Sequence, residues 1–134
     1  MAHDDVTLLR EHGINPSAQR VAVARYVLHT GDHPSAERVF SRVRETFPQV
    51  SRATVYNTLN LFVQKGLLRS FVLTEGKVVF DSKVDDHHHF VDEDDGSIHD
   101  VAWEALSVSG LEKLEGLAIR EHQVVLRGRR TPTP

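Results

Sequence analysis

Apolar positions recur every three or four residues through the first half of the chain and gather into short runs after that. Val6, Leu8 and Leu9 before Gly13 predict a short helix from Asp5 to His12 with a glycine stop. Val21, Ala24, Val27 and Leu28 mark a second helix, with Asn15 as its cap and Pro16 as its first residue. Ala36, Val39, Phe40 and Val43 mark a third, capped by Ser35 and ending at Phe47-Pro48. Val55, Leu59, Phe62 and Val63 mark a fourth, capped by Ser51 and closed by Gly66. Two apolar runs follow, Leu67 to Leu73 and Lys77 to Asp81, around Thr74-Glu-Gly76, and they predict a β-hairpin. Helices followed by a hairpin predict a winged helix-turn-helix over residues 1–82.

The pattern changes after residue 82. His87 to Asp92 reads as a strand, Asp94-Asp-Gly96 as a turn and Ser97 to Val101 as a second strand. Residues 103–116 read as helical, although Ser109-Gly110 and Gly116 interrupt them. Leu117 to Leu126 reads as a last strand, and the run from Gly128 to Pro134 as a frayed tail. The expected fold class is α+β: an N-terminal winged helix, then a small α/β domain over residues 83–134.

Composition narrows the function. The 134 residues are 40% apolar, a globular proportion. No apolar run reaches the roughly 18 residues of a membrane helix. The acidic N-terminus is unlike a signal peptide, which points to the cytoplasm. Zero cysteines exclude disulfides, thiolate zinc sites and cysteine nucleophiles. Any metal must be held by nitrogen and oxygen. Charge is uneven: residues 1–82 hold ten Lys/Arg against eight Asp/Glu, and residues 83–134 hold six against eleven. A basic front suits an anionic polymer and an acidic back suits cations.

The fourth helix carries the nucleic-acid signal. With Val55, Leu59 and Phe62 inward, Arg52, Tyr56 and Asn60 share an i, i+4 line, with Asn57 and Gln64 beside it. Arginine reads guanine and asparagine reads adenine in the major groove, and tyrosine reaches phosphate or a thymine methyl. The capped start at Ser51 and Thr54 suits a phosphate. An ordinary solvated helix face is the competing reading. The helix before it and the hairpin after it favour DNA.

Residues 82–100 hold four histidines and seven acids. On a strand, His87 and His89 point to one face and His88 to the other. Asp100 lies on the adjoining strand and adds an oxygen. Two histidines and a carboxylate suit a divalent transition metal. An acidic, solvated loop is the bland alternative; Phe90, Val91 and Ile98 favour ordered strands. A metalloenzyme and a metal store are the competing functions. His99 reads as a strand-surface residue, and His3, His12 and His29 as surface.

Together, AQR at Ala18–Arg20, HPSAERVF at His33–Phe40, SRATVYNTL at Ser51–Leu59, FDS at Phe80–Ser82, DHHHF at Asp86–Phe90 and GSIHD at Gly96–Asp100 resemble the ferric uptake regulator family over nearly the whole chain. The resemblance implies a homodimeric, metal-dependent repressor of a palindromic, AT-rich double-stranded operator, with a dimerisation role for the second domain. It implies a regulatory site of His33, Asp81, His87, His89 and Asp100 that holds Fe²⁺ or Mn²⁺, with Zn²⁺ as an in vitro occupant. Arg20 joins the DNA-contacting set of Ser51, Arg52, Thr54, Tyr56, Asn57 and Asn60 as a minor-groove or phosphate contact, with a helix-surface cation as the competing reading. Aspartates at 81 and 100, and Asn57, are similar to the peroxide-sensing branch, in which His33 and His87 are oxidised. The iron- and haem-responsive Irr branch, which also lacks some cysteines, is the alternative.

The resemblance implies two further features. Asp86, His88, Glu104 and His122 fall on positions similar to an auxiliary metal site in some iron-type members, with exposed polar residues as the competing reading. Most members also hold a structural zinc through two Cys-x-x-Cys pairs. Here the first pair falls on Asp92 and Asp95, and the second at about Arg130 and Thr133. No such zinc is expected, which leaves packing alone to hold the second domain.

Overall fold

The computed structural model describes residues 4–74 and 76–132. The chain divides into two compact units, Met1–Val84 and Asp85–Pro134. Helices α1 (Asp5–Glu11), α2 (Ala18–Val27), α3 (Ala36–Thr46) and α4 (Arg52–Gln64) build the first unit, followed by strands β1 (Arg69–Thr74) and β2 (Lys77–Asp81). Each helix starts at a residue whose side-chain oxygen accepts a backbone N–H three residues on: Asp4, Ser17, Ser35 and Ser51. Such a cap contributes about 1 kcal/mol. The cap of α2 is therefore Ser17, not Asn15. Pro16 stands ahead of it, and the Asn15 carbonyl instead accepts Arg20 Nη1 at 3.1 Å. Leu9, Val23, Val39, Val55, Leu59 and Phe62 are fully buried and centre the helical core.

Strands β1 and β2 pair antiparallel, with Phe71 opposite Val79 and Arg69 opposite Asp81. Glu75, in the expected turn, lies outside the described residues. This is the helices-then-hairpin order of a winged helix.

The second unit is a three-stranded sheet in the order β4-β3-β5, formed by β3 (His87–Asp92), β4 (Ile98–Ala102) and β5 (Val125–Gly128). β3 pairs antiparallel with β4 (His89 opposite Asp100) and parallel with β5 (His89 opposite Val125). As the central strand it is buried on both faces, with Phe90 alone half-buried.

Three expectations fail here. Residues 103–116 form only two single 3₁₀ turns, Trp103–Ala105 and Leu111–Lys113. Gly110 (φ 91°) and Gly116 (φ 76°) take left-handed backbone that a continuing helix excludes. The last strand starts at Val125 rather than Leu117, because residues 117–121 are exposed and pair with no strand. The tail is not frayed at its start: Glu93 N donates to Gly128 O at 2.8 Å, and Arg130 is anchored. Thr133 lies outside the described residues, as does His3. His12 donates from Nδ1 to Leu8 O, and His29 meets Asp5 at 2.7 Å. No helix among the described residues is long and apolar enough to cross a membrane.

Candidate functional site

Strand parity puts His87 and His89 on one face of β3, and the β3–β4 register puts Asp100 opposite His89. Both imidazoles are fully buried. His87 Nδ1 lies 2.6 Å from the Asp85 carbonyl, and His89 Nδ1 lies 2.8 Å from Gln123 Oε1. Oxygens of these types only accept, so each Nδ1 carries the proton. In the neutral ring, Nε2 then keeps its lone pair. The two Nε2 atoms sit 3.6 and 3.8 Å from Asp100 Oδ1, too far for hydrogen bonds. Two lone pairs and a carboxylate thus face one point, with the outer nitrogens tied back to oxygens. That is how histidines are prepared for a metal.

The first unit holds a second group of donors. His33 Nε2 lies 3.0 Å from Asp81 Oδ2, and both side chains are nine-tenths buried. A backbone bond from Phe80 N to Pro34 O (2.9 Å) ties the end of β2 to the turn ahead of α3 and brackets this pair. Lys83 N donates to the other Asp81 oxygen. Both donor groups consist of imidazole nitrogen and carboxylate oxygen, which suit Mn²⁺, Fe²⁺ or Zn²⁺ without any thiolate.

His88 differs from its neighbours. Its Nδ1 accepts the Val124 N–H at 2.9 Å, so the proton sits on Nε2. The ring stacks on Trp103 at 4.6 Å, and His122 packs on the same indole at 4.8 Å. His88 is therefore in the tautomer that cannot ligate through Nε2, and two imidazoles pack on the one indole. Among the described residues, Asp86, His88, Glu104 and His122 are not a group whose donor atoms lie close enough together to share one ion. Exchanging His88 for phenylalanine should leave metal stoichiometry unchanged. It should cost about 1–3 kcal/mol, because the Val124 N–H loses its acceptor. Urea unfolding followed at Trp103, beside a metal titration, checks both.

The exposed face of α4 carries Arg52, Tyr56, Asn57 and Asn60, and Thr54 is half-buried. Arg20, Thr54, Asn57, Asn60 and Gln64 line one polar groove between the start of α2 and α4. Ser51 uses its hydroxyl for the cap, where it also meets Thr54 Oγ1 at 2.9 Å. Arg52 and Tyr56 are held by Glu37 of α3. Arg52 Nε donates to both carboxylate oxygens (2.9 and 3.2 Å), and the Tyr56 hydroxyl donates to Oε2 (3.0 Å). The Arg52 and Tyr56 donors hold the Glu37 carboxyl below its usual range, and Glu37 pushes the Tyr56 hydroxyl up. Sequence reasoning missed Glu37, Gln123 and the Val124 N–H. No spacing in the chain marks them, since each acts across elements.

Residues 11–127 match the family model described as the ferric uptake regulator family. The peroxide operon regulator of Bacillus subtilis (strain 168) is 33% identical over 110 residues, covering 82% of this chain and 72% of that one. The structure of the ferric uptake regulator from Pseudomonas aeruginosa with manganese is similar at a TM-score of 0.69 and 25% identity, over 97% of this chain and all of that one. The Vibrio cholerae ferric uptake regulator, described with a rearrangement of its DNA-binding domains, matches at 0.67 and 25%, over 95% of this chain and all of that one.

Proposed function

Because the chain belongs to the ferric uptake regulator family, we propose that it is a cytoplasmic, metal-dependent DNA-binding repressor that responds to peroxide. The observation that carries the metal reading is the matched tautomer of His87 and His89 facing Asp100. With His33 and Asp81 added, the set would hold three nitrogens and two oxygens, the donor chemistry of Fe²⁺ or Mn²⁺. One ion taking donors from both units would favour one arrangement of the reading helices, and a ligand stabilises the state it binds better.

DNA contact falls to Arg20, Ser51, Arg52, Thr54, Tyr56, Asn57 and Asn60. A homodimer would set two α4 helices about 34–36 Å apart, one turn of DNA, which calls for a palindromic, AT-rich operator. Leu114, Leu117 and Ile119 of the second unit are exposed and suit the dimer face.

Fe²⁺ held by these residues would split peroxide, and Mn²⁺ would do so far less readily. His33 and His87, as ligands, would be the rings oxidised: each would take one oxygen from one peroxide and give up two electrons, and water would leave. A ring so modified ligates poorly, and the operator is released. The switch needs no thiol.

The test starts from duplexes selected out of a random pool by the Mn²⁺-loaded protein. Binding should require Mn²⁺ or Fe²⁺ and vanish with chelator. Dilute peroxide should release DNA from the Fe²⁺ form alone, with oxygen mapped to His33 and His87. Metal-independent binding overturns the repressor reading. Release with both histidines unmodified points to the iron- or haem-responsive alternative.

A further inference from the structure

Asp92, Asp94 and Asp95 crowd one turn, yet the cation among them belongs to the chain itself. Arg130 Nε donates to Asp92 Oδ2 at 2.7 Å and Nη2 donates to Asp95 Oδ2 at 3.0 Å. The remaining oxygen of each carboxylate serves the turn: Asp92 Oδ1 accepts Asp94 N (2.9 Å), and Asp95 Oδ1 accepts Ser97 N (2.8 Å) and the Ser97 hydroxyl. Arg129 approaches Asp94 at 3.6 Å. Asp92 is buried, at 2% exposure. One guanidinium therefore joins the β3–β4 turn to the segment just beyond β5, in a sheet that no cysteine can close.

β5 needs such a fastening. It pairs with β3 over only four residues, at one edge, in parallel register. The segment that leads into it is mostly exposed, with two 3₁₀ turns as its only regular structure. Little apolar burial holds it. Yet Gln123, two residues ahead of β5, orients His89, and Val124 O accepts the His89 N–H at 3.1 Å.

We propose that Asp92, Asp95 and Arg130 form a built-in cationic clamp that stands in for a structural metal, and that Arg130 is thereby a positioning residue for His89. Zinc held by two cysteine pairs has no ligands here, and a divalent ion on these aspartates would have to displace the guanidinium. The clamp half of the proposal stands on its own. The His89 half rests on the metal reading above.

Acid should open the clamp. Arg130, then the Asp94 N–H, hold the Asp92 carboxyl below its ordinary range, and Ser97 does the same for Asp95. Asp94, Arg129 and His99 are the other charged or titratable groups around them. A carboxylate whose pKa is depressed on folding contributes stability above its unfolded value of about 4, and loses it as pH falls through the folded value.

The experiment uses the full chain, metal-free for unfolding. Urea midpoints at Trp103 are measured from pH 3 to 8 for the parent, Arg130→Gln, Arg130→Lys and Asp92→Asn with Arg130→Gln. Arg130→Gln should unfold at lower urea at neutral pH and lose the acid-dependent limb. Lysine, which keeps the charge but not the fork, should fall between. The double variant should be no worse than Arg130→Gln. Mn²⁺ affinity of Arg130→Gln should fall by about tenfold, as when a partner behind a ligand is lost. If Arg130→Gln fails to fold, the parent's acid limb and the lysine variant still decide. Parent-like midpoints and a parent-like acid limb in every variant that folds would overturn the clamp. An intact Mn²⁺ affinity beside a lost acid limb would overturn the positioning role alone.

Discussion

Asparagine in place of Asp100 should weaken Mn²⁺ binding by at least about 100-fold, the upper end of what losing even an outer partner of a ligand costs. Operator affinity in limiting metal should fall with it. The side chain is one-third exposed and the exchange keeps its shape, so the fold is not at risk. Chemistry decides the outcome. Asp100 presents an anionic oxygen to two imidazole lone pairs, an arrangement of acceptors that only a cation satisfies well. The amide of asparagine brings an N–H that can turn to His87 or His89 and settle one lone pair without metal. The metal-free variant should therefore be at least as resistant to urea as the parent while binding metal far worse. Calorimetric Mn²⁺ titration, beside urea unfolding of the metal-free forms, reads both. Parent-like Mn²⁺ affinity would remove Asp100 from the ligand set.

Glutamine in place of Glu37 should move two DNA affinities in opposite directions. Arg52 lies between the Glu37 carboxylate and the Phe40 ring, 4.7 Å from its centroid. It bonds Glu37 through Nε, which leaves its two terminal nitrogens for the paired acceptors of guanine. Without the carboxylate charge, Arg52 and Tyr56 lose their fixed positions. Operator affinity should fall about tenfold, within the about 1–3 kcal/mol that a good two-point base contact is worth. Affinity for scrambled duplex should rise, because one negative charge no longer opposes the phosphates. Anisotropy titrations of both duplexes at one salt concentration give the ratio. If both affinities fall together, Glu37 supports the fold and does not set specificity.

What the sequence disclosed follows the range of the interactions involved. Ser35 and Ser51 cap helices over three residues, so local pattern finds them. Alternation along His87, His88 and His89 is equally local, and it placed the outer two together on one face. Asn15-Pro16 misled because proline also serves immediately ahead of a cap, and Ser17 competes for the same role. The stretch from 103 to 124 misled more deeply. Its apolar residues suggest a helix and a strand, but Gly110 and Gly116 break the first and no neighbouring strand accepts most of the second. Glu37, Gln123 and Arg130 were invisible for a plainer reason. Each acts on a residue at least 15 positions away, and a polar residue carries no mark of which distant partner it will meet.

β3 also bears on the fidelity of folding. A strand buried on both faces cannot use an apolar/polar alternation to choose its alignment, and a slip of one residue exchanges its faces. Three successive histidines make the slipped strand resemble the correct one. Hydrogen-bond polarity breaks the tie: the outer rings meet acceptors, and the middle ring meets a donor. A slipped strand would leave these partners mismatched and bring one imidazole, not two, to face Asp100. Metal present during refolding would then bind the true alignment far better and draw the population toward it. The ion would act as a proofreader of the sheet before it acts as a signal.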